Sequence, residues 1–338
     1  MILGAGSKLW GWPLSCLEGR KKMPKTDKEA IMKLCADINK KEGEGTVYSL
    51  GSKHANLDIK RWSTGIEDLD AIIGGGMPEG RVVEIYGAES SGKTTLLYHL
   101  MGLHQLALDI PVEGTFDADR AKVFGNRPKQ LLVYRAKYGE DAMNKTLKFA
   151  RAGIPIIGID SVPSLFPKDD AEKIEKAASH DSIEEFRIGG IPRLLTKYLP
   201  PIEIALEQSG TTLIFINQVR DKMNAMAFGE KTDTPGGHKL KHACSLRIQV
   251  ARRQWIEIPN KDPRNSAANE RVGLLMKFKV TKSKVCNPYG ECIVPLFFDR
   301  GFVSFDDVQP IRKELMKARA EQFGRRVTKK DMEAVGDE

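Results

Sequence analysis

Nine consecutive residues, Gly87, Ala88, Glu89, Ser90, Ser91, Gly92, Lys93, Thr94 and Thr95, fit the spacing G-x-x-x-x-G-K-[ST]. A triphosphate demands backbone N–H groups converging on anionic oxygens, a point charge on the β- and γ-phosphates, and a hydroxyl to hold Mg²⁺. Gly87 and Gly92 let such a loop curl, Lys93 carries the charge and Thr94 the hydroxyl. The motif has this meaning only between a strand and a helix. The apolar run Arg81 to Tyr86 and the segment Leu96 to Met101 supply both, and the helix N-terminus adds partial positive charge to the same site. The chain is therefore read as binding a nucleoside triphosphate with Mg²⁺. Two further strand ends carry polar groups. Ile156 to Ser161 ends on Asp160, suited to help hold Mg²⁺ or to cap the next helix. Ile214 to Gln218 ends on Gln218, suited to sense a γ-phosphate, orient water or form a loop.

These groups need a scaffold that brings strand ends together. Apolar strands are expected at 81–86, 114–116, 131–134, 154–160, 212–217 and 246–250, with helical spacing at 141–152 and 191–207. Such alternation predicts an α/β fold, a mostly parallel twisted sheet with helices on both faces, whose ligands bind at the carboxyl ends of the strands. Ahead of it, Asp27 to Lys41 reads as an amphipathic helix and Thr46 to Leu50 as a strand. A length of 338 residues fits about two domains, or one large core with small appendages. The five cysteines are too few and too irregular for a disulfide framework, have no zinc spacing, and point to a reducing cytoplasm. Cys286 and Cys292 flank an expected turn at 287–290 and are read as two thiols. The sequence has no apolar run of the roughly 18 residues a membrane span needs. Residues 1–26 read as a leader, with Met23 an equally sensible start.

A net charge of +8 and a pI near 9.1 invite a polyanion, although a basic solvated surface has the same balance. Distribution says more: Lys168, Lys173, Lys176, His180 and Arg187 fall in one expected loop, and Arg220, Lys222, Lys231, Lys239 and Lys241 in a second. Together with the phosphate loop, the segments Ser63-Thr64-Gly65, Gly80 to Tyr86, Ile159 to Val162, Leu213 to Gln218 and Gly236-Gly237 resemble the bacterial RecA recombinase family, from about Asp27 to about Ser304.

The resemblance implies a RecA-like phosphate-loop ATPase core over 61–304, a helix-strand oligomerisation segment over 27–60, and a short basic segment over 305–338. It implies a DNA-dependent ATPase that polymerises on single-stranded DNA, pairs it with a homologous duplex and exchanges strands. Lys93 and Thr94 would hold phosphate and Mg²⁺, Asp160 would be the acid behind the metal's direct ligands, and Gln218 the γ-phosphate sensor. Lys282 and Lys284 would reach a neighbouring protomer's ATP; two lysines at i and i+2 on a strand share one face in any case. DNA would meet mobile loops near 167–188 and 220–237, through Arg193, Arg220, Lys222, Gly236, Gly237 and His238, with Met223 as an apolar wedge between bases.

Departures from the family pattern are also legible. Where the family places a water-activating Glu after an Asp-Ala pair, this chain has Asp117-Ala118-Asp119, which makes Asp119 the expected general base. The following stretch is shorter and lacks the family's adenine-stacking region. The first DNA loop is longer, Pro200-Pro201 replaces a basic contact, and the family's C-terminal domain is missing after Ser304. Compactness and divergence fit a viral or mobile-element version of the family. Two other classes share the phosphate loop: a hexameric helicase or loader, and an ATP-gated DNA-binding paralogue with little hydrolysis.

Overall fold

The computed structural model describes residues 27–49, 59–170, 189–221, 232–262 and 267–336. The chain divides into two compact units, Met1–Asp58 and Ile59–Glu338. In the first, helix α1 (Lys28–Glu42) starts where the Asp27 carboxylate accepts the Ala30 N–H at 3.1 Å. Its apolar residues Ile31, Met32 and Leu34 are exposed. The expected strand at 46–50 does not form over 46–49, and Leu50 lies outside the described residues. A strand needs a hydrogen-bonding neighbour; here the Asn39 side chain takes that place, pairing with both the Val47 N–H and its carbonyl at 2.7 and 2.8 Å.

The second unit runs β1 (Arg61–Trp62), α2 (Glu67–Ile72), β2 (Met77–Pro78), β3 (Val82–Gly87), α3 (Lys93–Gly102), β4 (Ala107–Pro111), α4 (Ala118–Val123), β5 (Leu131–Val133), α5 (Gly139–Arg151) and β6 (Ile156–Asp160). It continues through α6 (Gly190–Ser209), β7 (Thr212–Gln218), the short strands β8 (Arg220–Asp221) and β9 (Thr232–Asp233), α7 (Gly237–Ala243), β10 (Leu246–Pro259), β11 (Asn269–Ser283), β12 (Glu291–Phe297), β13 (Gly301–Phe302), α8 (Phe305–Gln322) and α9 (Lys329–Gly336).

One large sheet has the order β13-β12-β11-β10-β3-β7-β6-β4-β5. From β10 to β5 neighbouring strands are parallel; β11, β12 and β13 extend the sheet antiparallel. Alternation along the central strands sends Val83, Ile85, Ile214 and Ile216 into one core with α2 and α3. Leu108, Ile110, Leu213 and Phe215 go into a second core with α5, α6 and α7. Helices therefore cover both faces, as the sequence pattern implied. Expected strands at 81–86, 131–134, 154–160 and 212–217 agree with β3, β5, β6 and β7 to within two residues. The strand expected at 114–116 lies earlier, as β4 (Ala107–Pro111); 114–116 belongs to the loop that leads from it to α4. Asp109 and Pro111 interrupt that run's apolar reading, although every residue of β4 is buried.

Beyond Val250 the expected strand continues nine residues, to Pro259, and pairs with β11 as a long hairpin. Its far end has its own core, with Ile256, Ile258 and Val272 packed against Ile311, Met316 and Val335 of α8 and α9.

Candidate functional site

Parallel topology delivers the carboxyl ends of β3, β4, β6 and β7 to one edge, and most candidate residues gather there. The phosphate loop leaves β3 at Gly87 and enters α3 at Lys93. Its turn is closed by Gly92 in the left-handed conformation (φ 93°), where an added Cβ would also lie 2.7 Å from Met276 Cε. Lys93 Nζ donates to the Ala88 carbonyl at 2.7 Å, and Thr94 Oγ1 donates to Asp160 Oδ2 at 2.6 Å. Ser91 Oγ is buried with no hydrogen-bond partner among the described residues.

The structure adds Glu113 to this group, a residue the sequence reading missed. It stands two residues past β4, with its N–H donated to the Asp160 carbonyl at 3.2 Å. Its Oε1 accepts from Gln218 Nε2 at 3.2 Å and from the Ser161 hydroxyl. Thus β4, β6 and β7 each contribute one member of a linked set. Asp119, the expected base, does not join it. That residue sits in the first turn of α4 with its side chain 93% exposed, ion-paired to Lys122 at 2.8 Å. The Asp-Ala pair that anchored the expectation instead starts α4, where Asp117 caps the Arg120 N–H at 2.9 Å. The missed signal was an apolar run, 106–112, ending on an acid, the same grammar that singled out Asp160.

Burial and neighbouring charges both act on the groups of this cluster. Burial lowers the Lys93 pKa, opposed by the carboxylates of Asp160, Glu113 and Glu89. Burial pushes Asp160 up to about 6; Glu113 adds to that, and the Thr94 hydroxyl and Lys93 counter it. Behind it, Asp109 on β4 is 1% exposed with Oδ1 unpartnered among the described residues, and burial pushes it up to about 8. A hydroxyl and a carboxylate at 2.6 Å are hard oxygen donors that fit Mg²⁺, which takes one or two carboxylates along with substrate phosphates.

Lys282 and Lys284 are elsewhere. Lys282 pairs with Arg247, itself level with Glu84; the Lys284 N–H bonds the Ser245 carbonyl, level with Val82. From that level to Gly87 is five residues, roughly 16 Å of strand, and β10 intervenes. Both ammonium groups donate to carbonyls at the C-terminal end of α7: Lys282 to Lys241 and His242, Lys284 to His242 at 2.6 Å. The negative end of the helix favours cations there, while burial and the neighbouring Lys284 lower the Lys282 pKa.

The expected DNA residues fall along the next part of the edge. Arg220, Gly236 and Gly237 line one cavity of about 460 Å³ with Phe166 and Pro192. Arg193, in the first turn of α6, lines a neighbouring one with Lys197. His238 is exposed on α7. Gly236 has φ 103° and leaves only 2.8 Å between an added Cβ and Leu240, so only glycine suits the turn. Lys222, Met223 and most of both expected loops lie outside the described residues.

This edge is tied to the phosphate loop by a buried polar network. Glu84, fully buried on β3, is ion-paired to Arg247 and accepts from Asn217 Nδ2 at 2.8 Å. Asn217 also donates to the Pro235 carbonyl at 2.8 Å, and Arg247 to Thr234 Oγ1 at 3.1 Å. Residues next to Gln218 and next to Gly236 thereby share one set of hydrogen bonds.

Comparison with known proteins gives the family. Residues 29–303 match the RecA N-terminal domain family. The chain is 33% identical to Protein RecA of Mesomycoplasma hyopneumoniae (strain J) over 296 residues, 86% of this chain and 82% of that one. It is 34% identical to Protein RecA of Chlamydia abortus over 285 residues, 82% of this chain and 76% of the relative. Among the described residues, no helix is long and apolar enough to cross a membrane. With a phosphate loop, a strand-end acid and a strand-end glutamine meeting on a RecA-like sheet, the chain belongs to the RecA family, as a nucleotide-binding recombinase of the DNA-dependent ATPase class.

Proposed function

We propose that the protein binds ATP with Mg²⁺, polymerises head to tail on single-stranded DNA, hydrolyses ATP in response to that DNA, and exchanges strands with a homologous duplex. The observation that carries the reading is the Glu113–Gln218 contact beside Lys93, Thr94 and Asp160. Mg²⁺ supplies charge neutralisation on the phosphate oxygens. Lys93 exchanges the Ala88 carbonyl for phosphate oxygen, and Thr94 with Asp160 holds the metal. The Glu113 carboxylate, not Asp119, orients the attacking water and takes its proton. Gln218 donates to Glu113 and, through its neighbour Asn217, joins the base to Pro235 at the second DNA loop. Hydrolysis and DNA grip are thereby linked.

Lys282 and Lys284 act on the phosphates of the next protomer, since their register keeps them from their own loop. The exposed apolar residues of α1, Ile31, Met32 and Leu34, are the surface for a second copy. Arg193, Arg220, Lys222 and His238 hold phosphates, Gly236 and Gly237 allow close backbone approach, and Met223 is the wedge.

The test is ATP hydrolysis with and without single-stranded DNA, with negative-stain imaging of the same samples. Stimulated hydrolysis together with helical filaments is expected, and Lys93→Ala should lose both. Closed rings would replace the filament reading with a helicase or loader; undiminished hydrolysis in Lys93→Ala would remove the active-site assignment.

A further inference from the structure

Beside the phosphate loop lies a cavity of about 680 Å³, within the range of roughly 300–1,000 Å³ common for small-ligand sites. One end is the loop itself, at Gly92 to Thr95. The other is apolar: Trp255 of β10, Leu274 of β11, Leu296 of β12 and Phe298 just beyond it. Trp255 is half-buried and held from several sides. The Arg252 and Arg271 guanidinium carbons stand 4.4 and 4.7 Å from its ring centroid, and Phe298 meets it edge to face at 6.3 Å. Arg271 is itself tethered by Glu257 at 3.3 Å. Such contacts fix the indole at little further entropic cost before a ligand arrives. On the facing side, Arg120 is anchored through Nη2 to Thr95 Oγ1 at 2.9 Å, presenting a planar cation across the cavity from the aromatic wall.

A nucleoside triphosphate whose phosphates sit at Lys93 must place its base somewhere along this cavity. The long β10–β11 hairpin and β12 bring an aromatic and aliphatic wall to this cavity. We propose that Trp255 is the base-discriminating wall of the nucleotide site. It packs against the base, with its orientation set by Arg252 and Arg271, and favours the larger purine ring. This assignment rests on the phosphate-loop reading and adds the part of the site that reads the base.

Titration calorimetry with Mg-ATP, Mg-CTP and Mg-tripolyphosphate on the wild type, Trp255→Ala and Trp255→Phe separates the two readings. Tripolyphosphate engages the loop alone. Trp255→Ala should weaken ATP by roughly 5- to 100-fold, the usual loss when a base-stacking aromatic is removed, narrow the ATP-over-CTP preference, and leave tripolyphosphate within twofold. Trp255→Phe should retain most ATP affinity. Unchanged ATP binding in Trp255→Ala, or equal loss of ATP and tripolyphosphate, overturns the assignment; a wild type that binds neither ligand overturns the phosphate-loop reading beneath it. Should Trp255→Ala not fold, wild-type tryptophan fluorescence decides. Quenching by ATP but not by tripolyphosphate, absent in Trp255→Phe, supports the wall, and no such quenching overturns it.

Discussion

Glu113 and Asp119 lie six positions apart and differ by one methylene, yet their surroundings suit them to opposite tasks. Glu113 is fixed among Gln218, Ser161 and the Asp160 backbone, whereas Asp119 reaches into solvent toward Lys122. Glu113→Gln should cut DNA-stimulated ATP hydrolysis by about 100-fold or more while keeping nucleotide binding, and Asp119→Ala should change the rate less than about twofold. Steady-state kinetics on both variants checks this, and the reverse ranking would return the base to Asp119. Asp109 makes a separate prediction. Its folded-state pKa is raised to about 8 from 3.8, so between those values the folded chain keeps a proton that the unfolded chain has released. Stability should therefore fall as pH rises from about 4 to about 8, and Asp109→Asn should flatten that slope in urea denaturation. A slope that persists in the variant would place its source elsewhere. The phosphate loop, Asp160 and Gln218 were legible because each is a local motif at the end of an apolar run. Glu113 was hidden because Asp109 and Pro111 break the run that precedes it.

Elements determine which groups can meet, and sheet register is the strictest of those constraints. Lys282 and Lys284 are level with residues at or near the amino end of β3, while the phosphate loop leaves its carboxyl end. If they serve a neighbour, Lys282→Ala should lose hydrolysis yet retain ATP binding. Mixing it with Lys93→Ala should restore up to about a quarter of wild-type activity, because random head-to-tail assembly joins one intact loop to one intact lysine at that frequency. No recovery on mixing would favour a role within one protomer. The sequence suggested the lysine pair on one strand face; the structure gives a 15-residue strand that ends at Ser283, between the two lysines. Beyond Val250 the hairpin continues through exposed Ala251, Arg252, Arg253 and Gln254, so no apolar alternation marks it; pairing with β11 across the hairpin holds it in place.

At the scale of the whole molecule, the chain after Ser304 is a packed appendage. The sequence suggested one short basic segment over 305–338; the structure forms two helices there, α8 and α9. Gly324 at φ 61° breaks the first, and Thr328 with Asp331 starts the second through reciprocal side-chain bonds of 2.7 and 3.3 Å to each other's N–H. Arg312 is 4% exposed and ties this appendage together, donating to the Glu257 carbonyl at 2.9 Å and the Val335 carbonyl at 3.2 Å. Arg312→Ala should cost about 2–4 kcal/mol in urea unfolding, because it leaves buried carbonyls unsatisfied as well as a cavity. A change below about 0.5 kcal/mol would mean that the appendage is held by its apolar core alone. The distance of Lys282 from its own phosphate loop reaches furthest. In the proposed head-to-tail polymer every internal ATP would be shared by two protomers, but the last protomer at one end would offer a loop that no partner completes. That terminal subunit would then keep its nucleotide while those behind it turn over. A polymer built as proposed would therefore age unevenly, with a long-lived cap at one end and loss of subunits biased toward the other.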